Sequence, residues 1–143
     1  MNIAEQLTDI YLTEETWHVS KLSKEESDLY HDTLLSKGNI IVIRDGEQVV
    51  GYCEFWRLTY EQFGRIICGE PFSAMHEDVQ TGQIAYVANT FIKKEYRKGE
   101  VTKMLRNRFF EANTLCTHFC GQARRKKSEP VKVFKRNVVP ERI

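Results

Sequence analysis

Residues 83–110 read QIAYVANTFIKKEYRKGEVTKMLRNRFF, and the fold turns on how that stretch divides. Gln83 to Ile92 has the composition of a strand, with IAYVANTFI at its core. Lys93-Lys94-Glu95-Tyr96-Arg97-Lys98-Gly99 is a basic turn. From about Glu100 to Asn113, Val101, Leu105, Phe109 and Ala112 recur at helical spacing, so a helix with one apolar face follows the turn. A strand that ends in a tight turn and feeds a helix aims several backbone N–H groups without intrahelical acceptors at one point. The helix dipole adds partial positive charge there, and Arg97, Lys98 and Lys103 add full charges. Such a turn suits a diphosphate. It equally suits an ordinary solvated helix start, and the local sequence leaves the two readings level.

Working outward, Asn39 to Arg44 is a β-rich run, Asp45-Gly46 is a turn signal, and Gln48 to Leu58 is the returning strand of a hairpin. In that strand Val50, Tyr52, Glu54, Trp56 and Leu58 alternate with Val49, Gly51, Cys53, Phe55 and Arg57. Both faces are substantially apolar, as in an inner strand. Ala4 to Lys37 reads as helical. Ser23 and Glu26 form a capping-box signal, Leu29, Tyr30, Leu34 and Leu35 follow at helical spacing, and Gly38 stops the helix. Leu7, Ile10, Tyr11, Leu12 and Trp17 indicate a further helix, or a helix–strand mixture, nearer the start. Tyr60 to Gly82 reads as a long irregular connection, with room for a short helix or strand. Downstream, Leu115 to Gly121 reads as a strand, and the basic turn Arg124-Arg125-Lys126-Lys127 leads to a short final strand at Val131–Phe134.

The 143 residues, 41% apolar and 29% charged, suit one α+β domain over residues 1–143, with a central sheet flanked by helices. No apolar run approaches the ~20 residues of a membrane span, and the first residues lack a basic-then-apolar signal pattern. The expected setting is therefore cytoplasmic, with no membrane partner. The four cysteines are expected to be reduced thiols. Cys116, His118 and Cys120 alternate, so on a strand they would share one face, but the spacing fits no familiar zinc pattern and no metal is expected. Charge is uneven. Residues 1–92 carry 6 Lys/Arg against 15 Asp/Glu, and residues 93–143 carry 15 against 5. That asymmetry points to an anionic ligand or surface near the basic half, or to neutralisation between the halves.

The strand–turn–helix segment resembles the acetyl-CoA-binding motif of the GNAT family of N-acetyltransferases. Phe91-Ile92 is similar to the end of the family's strand, Glu95-Tyr96-Arg97 to the approach to its loop, and Met104-Leu105 to the Leu pair in its helix. The hairpin with its DGE turn and VVGYCEF strand looks like the second and third strands of that fold. The resemblance runs from about Ile40 to Gly121 and weakens at the N-terminus. The chain departs from the family in three ways. The loop is not Gly-rich: with Arg97 aligned on the family's Arg/Gln, Glu100 and Thr102 fall on the glycine positions. The C-terminal part is shortened. The first-strand region is replaced by helix-like sequence. Its brevity resembles small phage members of the fold, including the Mom group that modifies DNA adenines.

The resemblance implies a mixed, mostly antiparallel sheet, acetyl-CoA as cofactor and acyl transfer to an amine. It implies pantetheine contacts at Phe91 and Ile92 and a diphosphate bordered by Arg97, Lys98, Gly99, Val101 and Thr102. Glu54 is the candidate base, and Asn89 and Tyr86 are candidates for orienting substrate or donating a proton. Each also has an ordinary reading: a paired carboxylate for Glu54, core packing for Tyr86. His76, beside Glu77 and Asp78, is a candidate at a substrate entrance or a plain loop histidine. Two other functions compete. One is a CoA-independent binding or nucleic-acid-modifying protein using Arg124, Arg125, Lys126 and Lys127 on phosphates. The other is a protein-binding inhibitor using the acidic half. A sheet lacking its closing strands exposes an edge, so a homodimer through Leu115–Gly121 or Val131–Arg136 is expected.

Overall fold

The computed structural model describes residues 1–14, 22–123 and 132–137. Two helices come first, α1 (Ile3–Thr13) and α2 (Lys24–Lys37). The hairpin β1 (Ile40–Asp45) and β2 (Gln48–Leu58) follows, then α3 (Tyr60–Ile67), β3 (Ile84–Ile92), a 3-10 turn at Lys94–Tyr96, α4 (Glu100–Ala112), β4 (His118–Ala123) and β5 (Lys132–Asn137). The strands form one sheet in the order β1-β2-β3-β4-β5. Pairing is antiparallel throughout except between β3 and β4, which run parallel because α4 crosses between them. The expected α+β class and mixed sheet are therefore observed, and helices stand where a first strand would be.

α4 packs on one face through Val101, Leu105 and Phe109, against Ile43, Val50, Cys53 and Phe55. Ala112 is exposed; the helix turns off there and Asn113 is buried instead. α4 approaches closely at Gly51, where a Cβ would lie 2.9 Å from Val101 Cγ1. On the other face α1 and α2 cover Val49, Tyr52 and Phe91. A third cluster under α3 joins Leu58, Phe63, Val79, Ile84, Tyr86 and Cys120.

Several expectations change. The β2 alternation slips at a bulge between Ile43 and Arg44, which puts Val50 on the α4 face and Val49 on the α1 face. The connection after β2 opens with a helix: Thr59 and Gln62 cap α3 reciprocally. Its end is tied by Arg65 to Glu77 at 2.6 Å and by Gln62 Nε2 to the Asp78 carbonyl at 2.8 Å. Leu29 is exposed. The buried stripe of α2 is Ser27, His31 and Leu34, with polar residues where apolar ones were expected. β4 lies between β3 and β5, so it is interior and only β5 remains an edge on that side. Cys116 precedes β4 and packs under α4, whereas Cys120 packs under α3, so the two do not share a face. No group of three or more metal-ligating side chains occurs among the described residues. None of the described helices is long and apolar enough to cross a membrane.

Candidate active site

The site begins with a break in register. Glu54 pairs with Asn89 but Phe55 pairs with Val87, so Ala88 is an extra residue in β3. A bulge bends its strand and re-aims side chains, and here both Ala88 and Asn89 line the same cavity. β3 loses its other neighbour at the same point. Its parallel pairing with β4 ends at Val87 and Gly121, while β4 continues beside β5 to Ala123. Residues 88–92 of β3 therefore have no described strand on that side.

On the α1–α2 face, the bulge floors a cavity of about 220 Å³. Glu54 and Asn89, separate in sequence, meet in it as cross-strand partners. Glu54 is 6% exposed. Its Oε2 accepts a hydrogen bond from the Tyr30 hydroxyl and another, at 3.0 Å, from Trp56 Nε1. Burial, then the neighbouring Glu54 carboxylate, push the Tyr30 phenol far above its ordinary range, so it stays a donor. Asn89 Nδ2 donates to the Tyr52 hydroxyl at 3.0 Å. From α2, His31 reaches the cavity with its Nδ1 3.3 Å from both Thr8 Oγ1 and Ser27 Oγ. Tyr11 of α1 stands edge-on to the His31 ring. Tyr30 and His31 join the cavity although the sequence marks neither as a site residue. The available signal was the polar pair Ser27 and His31 at a spacing of four, on the face of α2 that carries Leu34.

At the far end of β3 the chain makes the basic bend. Arg97 folds back, and its Nε donates to the Ile92 carbonyl at 2.8 Å. Tyr96 donates to Asp45 Oδ2 at 2.5 Å, anchoring the bend to the β1–β2 turn. Lys98 holds φ at 67°, the one non-glycine in the left-handed region among the described residues. Gly99 then starts α4 with no side-chain cap. The first N–H groups of α4 thus have no side-chain acceptor at the N-cap, beside the exposed Arg97 and Lys98. Glu100 is exposed, in the first turn. Thr102 is exposed too. Val101 and Phe91 bury their side chains and offer only backbone to a ligand.

Tyr86 is not brought to the cavity. It is 3% exposed, stacked on Trp56 and edge-on to Phe63, and burial pushes its phenol up to about 12. His76 is an exposed residue of the loop after α3. Arg124, Arg125, Lys126 and Lys127 lie outside the described residues.

No protein-family sequence model matches the chain, and no curated protein matches it in sequence. Solved structures do match in shape. One is the diaminobutyrate acetyltransferase EctA from Paenibacillus lautus with its substrate L-2,4-diaminobutyric acid and coenzyme A. It is 9% identical with a TM-score of 0.52, over 82% of this chain and 58% of that one. A GNAT-family protein from Desulfovibrio desulfuricans is 8% identical with a TM-score of 0.53, over 85% and 67%. The GNAT-like decarboxylase GphF with isobutyryl-CoA is 12% identical with a TM-score of 0.51, over 73% and 53%. The chain spans between 53% and 67% of the length of these structures. The fold is that of the GNAT acetyltransferases. The activity does not follow from it, because one shape carries both acetyl transfer and decarboxylation in these neighbours.

Proposed function

We propose that this chain is an acyl-CoA-dependent N-acyltransferase, with acetyl-CoA as the donor and an amine as the acceptor. One observation carries the reading. Beyond Val87, where β3 loses its β4 partner, the strand runs from a carboxylate-bearing cavity at the bulge to the basic bend and the uncapped start of α4. The orphan N–H groups at that start fit a diphosphate, helped by Arg97 and Lys98 and by the backbone of Gly99, Val101 and Thr102. Backbone groups near Phe91 and Ile92 would lie along the pantetheine arm. When bound, the thioester supplies the activated acyl group.

The chain's own residues do the rest. Glu54 receives the amine and takes its proton, directly or through water. Tyr30 and Trp56 hold the carboxylate in place from one side. Asn89, held against Tyr52, orients the acceptor across from it. Tyr86, packed and buried, has no part in this reading. The homodimer expected from the sequence then rests on the β5 edge alone, since β4 is interior.

The test is thermal unfolding of the full chain with and without CoA or acetyl-CoA. Binding to the native state is expected to raise the melting temperature in proportion to the logarithm of ligand concentration. No shift at millimolar CoA would remove this reading and leave the architecture untouched.

A further inference from the structure

We infer that Asp45 and Tyr96 are positioning residues: the hydrogen bond between them sets the conformation of the bend at Arg97–Gly99, and through it the affinity for the anion at the start of α4. The anion rests on the acyltransfer reading, in which it is the diphosphate of CoA. The latch between the two side chains does not.

Where the bend is tied comes first. Tyr96 packs its ring against the core under α4 and donates its hydroxyl to Asp45 Oδ2 at 2.5 Å. The Lys93 N–H donates to the Val50 carbonyl at 2.9 Å. On the far side of the bend, Val101 packs so close to Gly51 that a Cβ there would lie 2.9 Å from its Cγ1. All three ties reach the β1–β2 hairpin, so the bend is stretched between two fixed points, Tyr96 and Val101, on one support. The conformation between those points is the second observation. Lys98 holds φ at 67°, a left-handed backbone that persists in a lysine only where its surroundings over-determine it. Arg97 is held to its own strand end and turn, at the Ile92 and Lys94 carbonyls. Among the described residues, the Tyr96–Asp45 bond is therefore the last tie to another element before Lys98. Charge is the third observation. Asp45 is exposed, and a carboxylate bonded to the bend lowers the positive potential that Arg97 and Lys98 build for an anion. An exposed hydrogen bond also adds little to global stability. Neither attraction of a ligand nor stability accounts for a carboxylate at that place. Holding the backbone that follows Tyr96 does.

Calorimetric titration of CoA into the full chain tests this, because positioning and charge predict opposite signs. Asp45→Ala removes a negative charge, which by electrostatics alone would tighten CoA; with the latch broken, it is expected to weaken CoA about fivefold. Tyr96→Phe keeps the ring, changes no charge and should weaken CoA equally. The double variant should bind no more weakly than either single one. Asp45→Asn keeps an acceptor without the charge and should bind at least as tightly as the unaltered protein. Unchanged or tighter binding by Asp45→Ala, unchanged binding by Tyr96→Phe, losses that add, or an Asp45→Asn as weak as Asp45→Ala would overturn the inference. Hydrogen exchange without ligand separates it from the acyltransferase reading. In Tyr96→Phe the amides of Tyr96 and Arg97, which donate to the Lys93 and Lys94 carbonyls, should exchange about fivefold faster, with those of Leu105 and Phe109 unchanged. If the unaltered protein does not bind CoA, the acyltransferase reading falls and the exchange alone decides the latch. Equal exchange at Tyr96 and Arg97 in the two proteins overturns it whether or not CoA binds.

Discussion

The described residues contain four α-helix starts, and they divide three to one. α1, α2 and α3 close their own N-termini with reciprocal capping boxes: Asn2 with Glu5, Ser23 with Glu26, Thr59 with Gln62. α4 has Gly99 at the same position and no side-chain cap. A closed start spends its donors inside the protein and contributes stability. An open one leaves them for water or a ligand. The one uncapped α-helix among the described residues is also the one that follows a basic bend, at the end of β3 that has lost its β4 partner. The chain thus puts local stability at three helix starts and keeps the fourth available.

Closing the open start should have the largest effect. Gly99→Asp supplies both a cap and a negative charge. It is expected to stabilise the free protein by a few tenths of a kcal/mol and to weaken CoA binding about 100-fold, roughly 2.7 kcal/mol. Titration of CoA and thermal unfolding of the same variant read the two opposite signs. If the variant binds CoA normally, the open start is incidental. Opening a closed start is the converse. Ser23→Ala should destabilise the protein by about 1 kcal/mol, seen in urea unfolding, with CoA affinity unchanged.

A smaller effect belongs to Lys98. Its left-handed backbone carries a penalty of about 1–2 kcal/mol, and glycine there loses up to ~1 kcal/mol in chain entropy. Lys98→Gly should therefore stabilise the free protein by about 0.5–1 kcal/mol while weakening CoA through the lost charge. The smallest effect is in pH. The Ser23 backbone N–H, then its side chain, holds the Glu26 carboxyl below its ordinary value. A group whose folded value is depressed contributes fully above its unfolded value, about 4.3, and loses that contribution as pH falls through the folded one. The gap in melting temperature between wild type and Glu26→Gln should narrow below about pH 4. A gap that stays constant to about pH 2.5 would mean that the Glu26 carboxylate charge adds nothing to the cap.

The same contrast explains what was legible beforehand. Capping boxes are written in three-residue spacing, so Ser23–Glu26 could be read directly. Thr59–Gln62 was equally readable, but it sat in a Gly-containing stretch that looked irregular. The strand–bend–helix segment and the hairpin were legible because periodicity and the Asp45-Gly46 turn are local signals. Glu54 and Asn89 were candidates one at a time, and nothing local said that they face each other. Tyr86 looked equally available and is instead locked between Trp56 and Phe63. His31 is buried on the face of α2 that carries Leu34, while Leu29, apolar and at helical spacing, is exposed.

By itself, the sequence determined the β1–β2 hairpin, β3, the basic bend and the helix that follows it, with a glycine just before its start. These depend on interactions spanning a few residues, where side-chain chemistry and backbone geometry are linked directly. Tertiary structure alone decided the bulge at Ala88, the end of β3–β4 pairing at Val87, and the convergence of Tyr30, His31, Glu54 and Asn89 on one cavity. The physical reason is register. Which residue of one strand or helix opposes which residue of another is settled by packing the whole sheet against its helices, and a slip of one position sends a side chain to the opposite face.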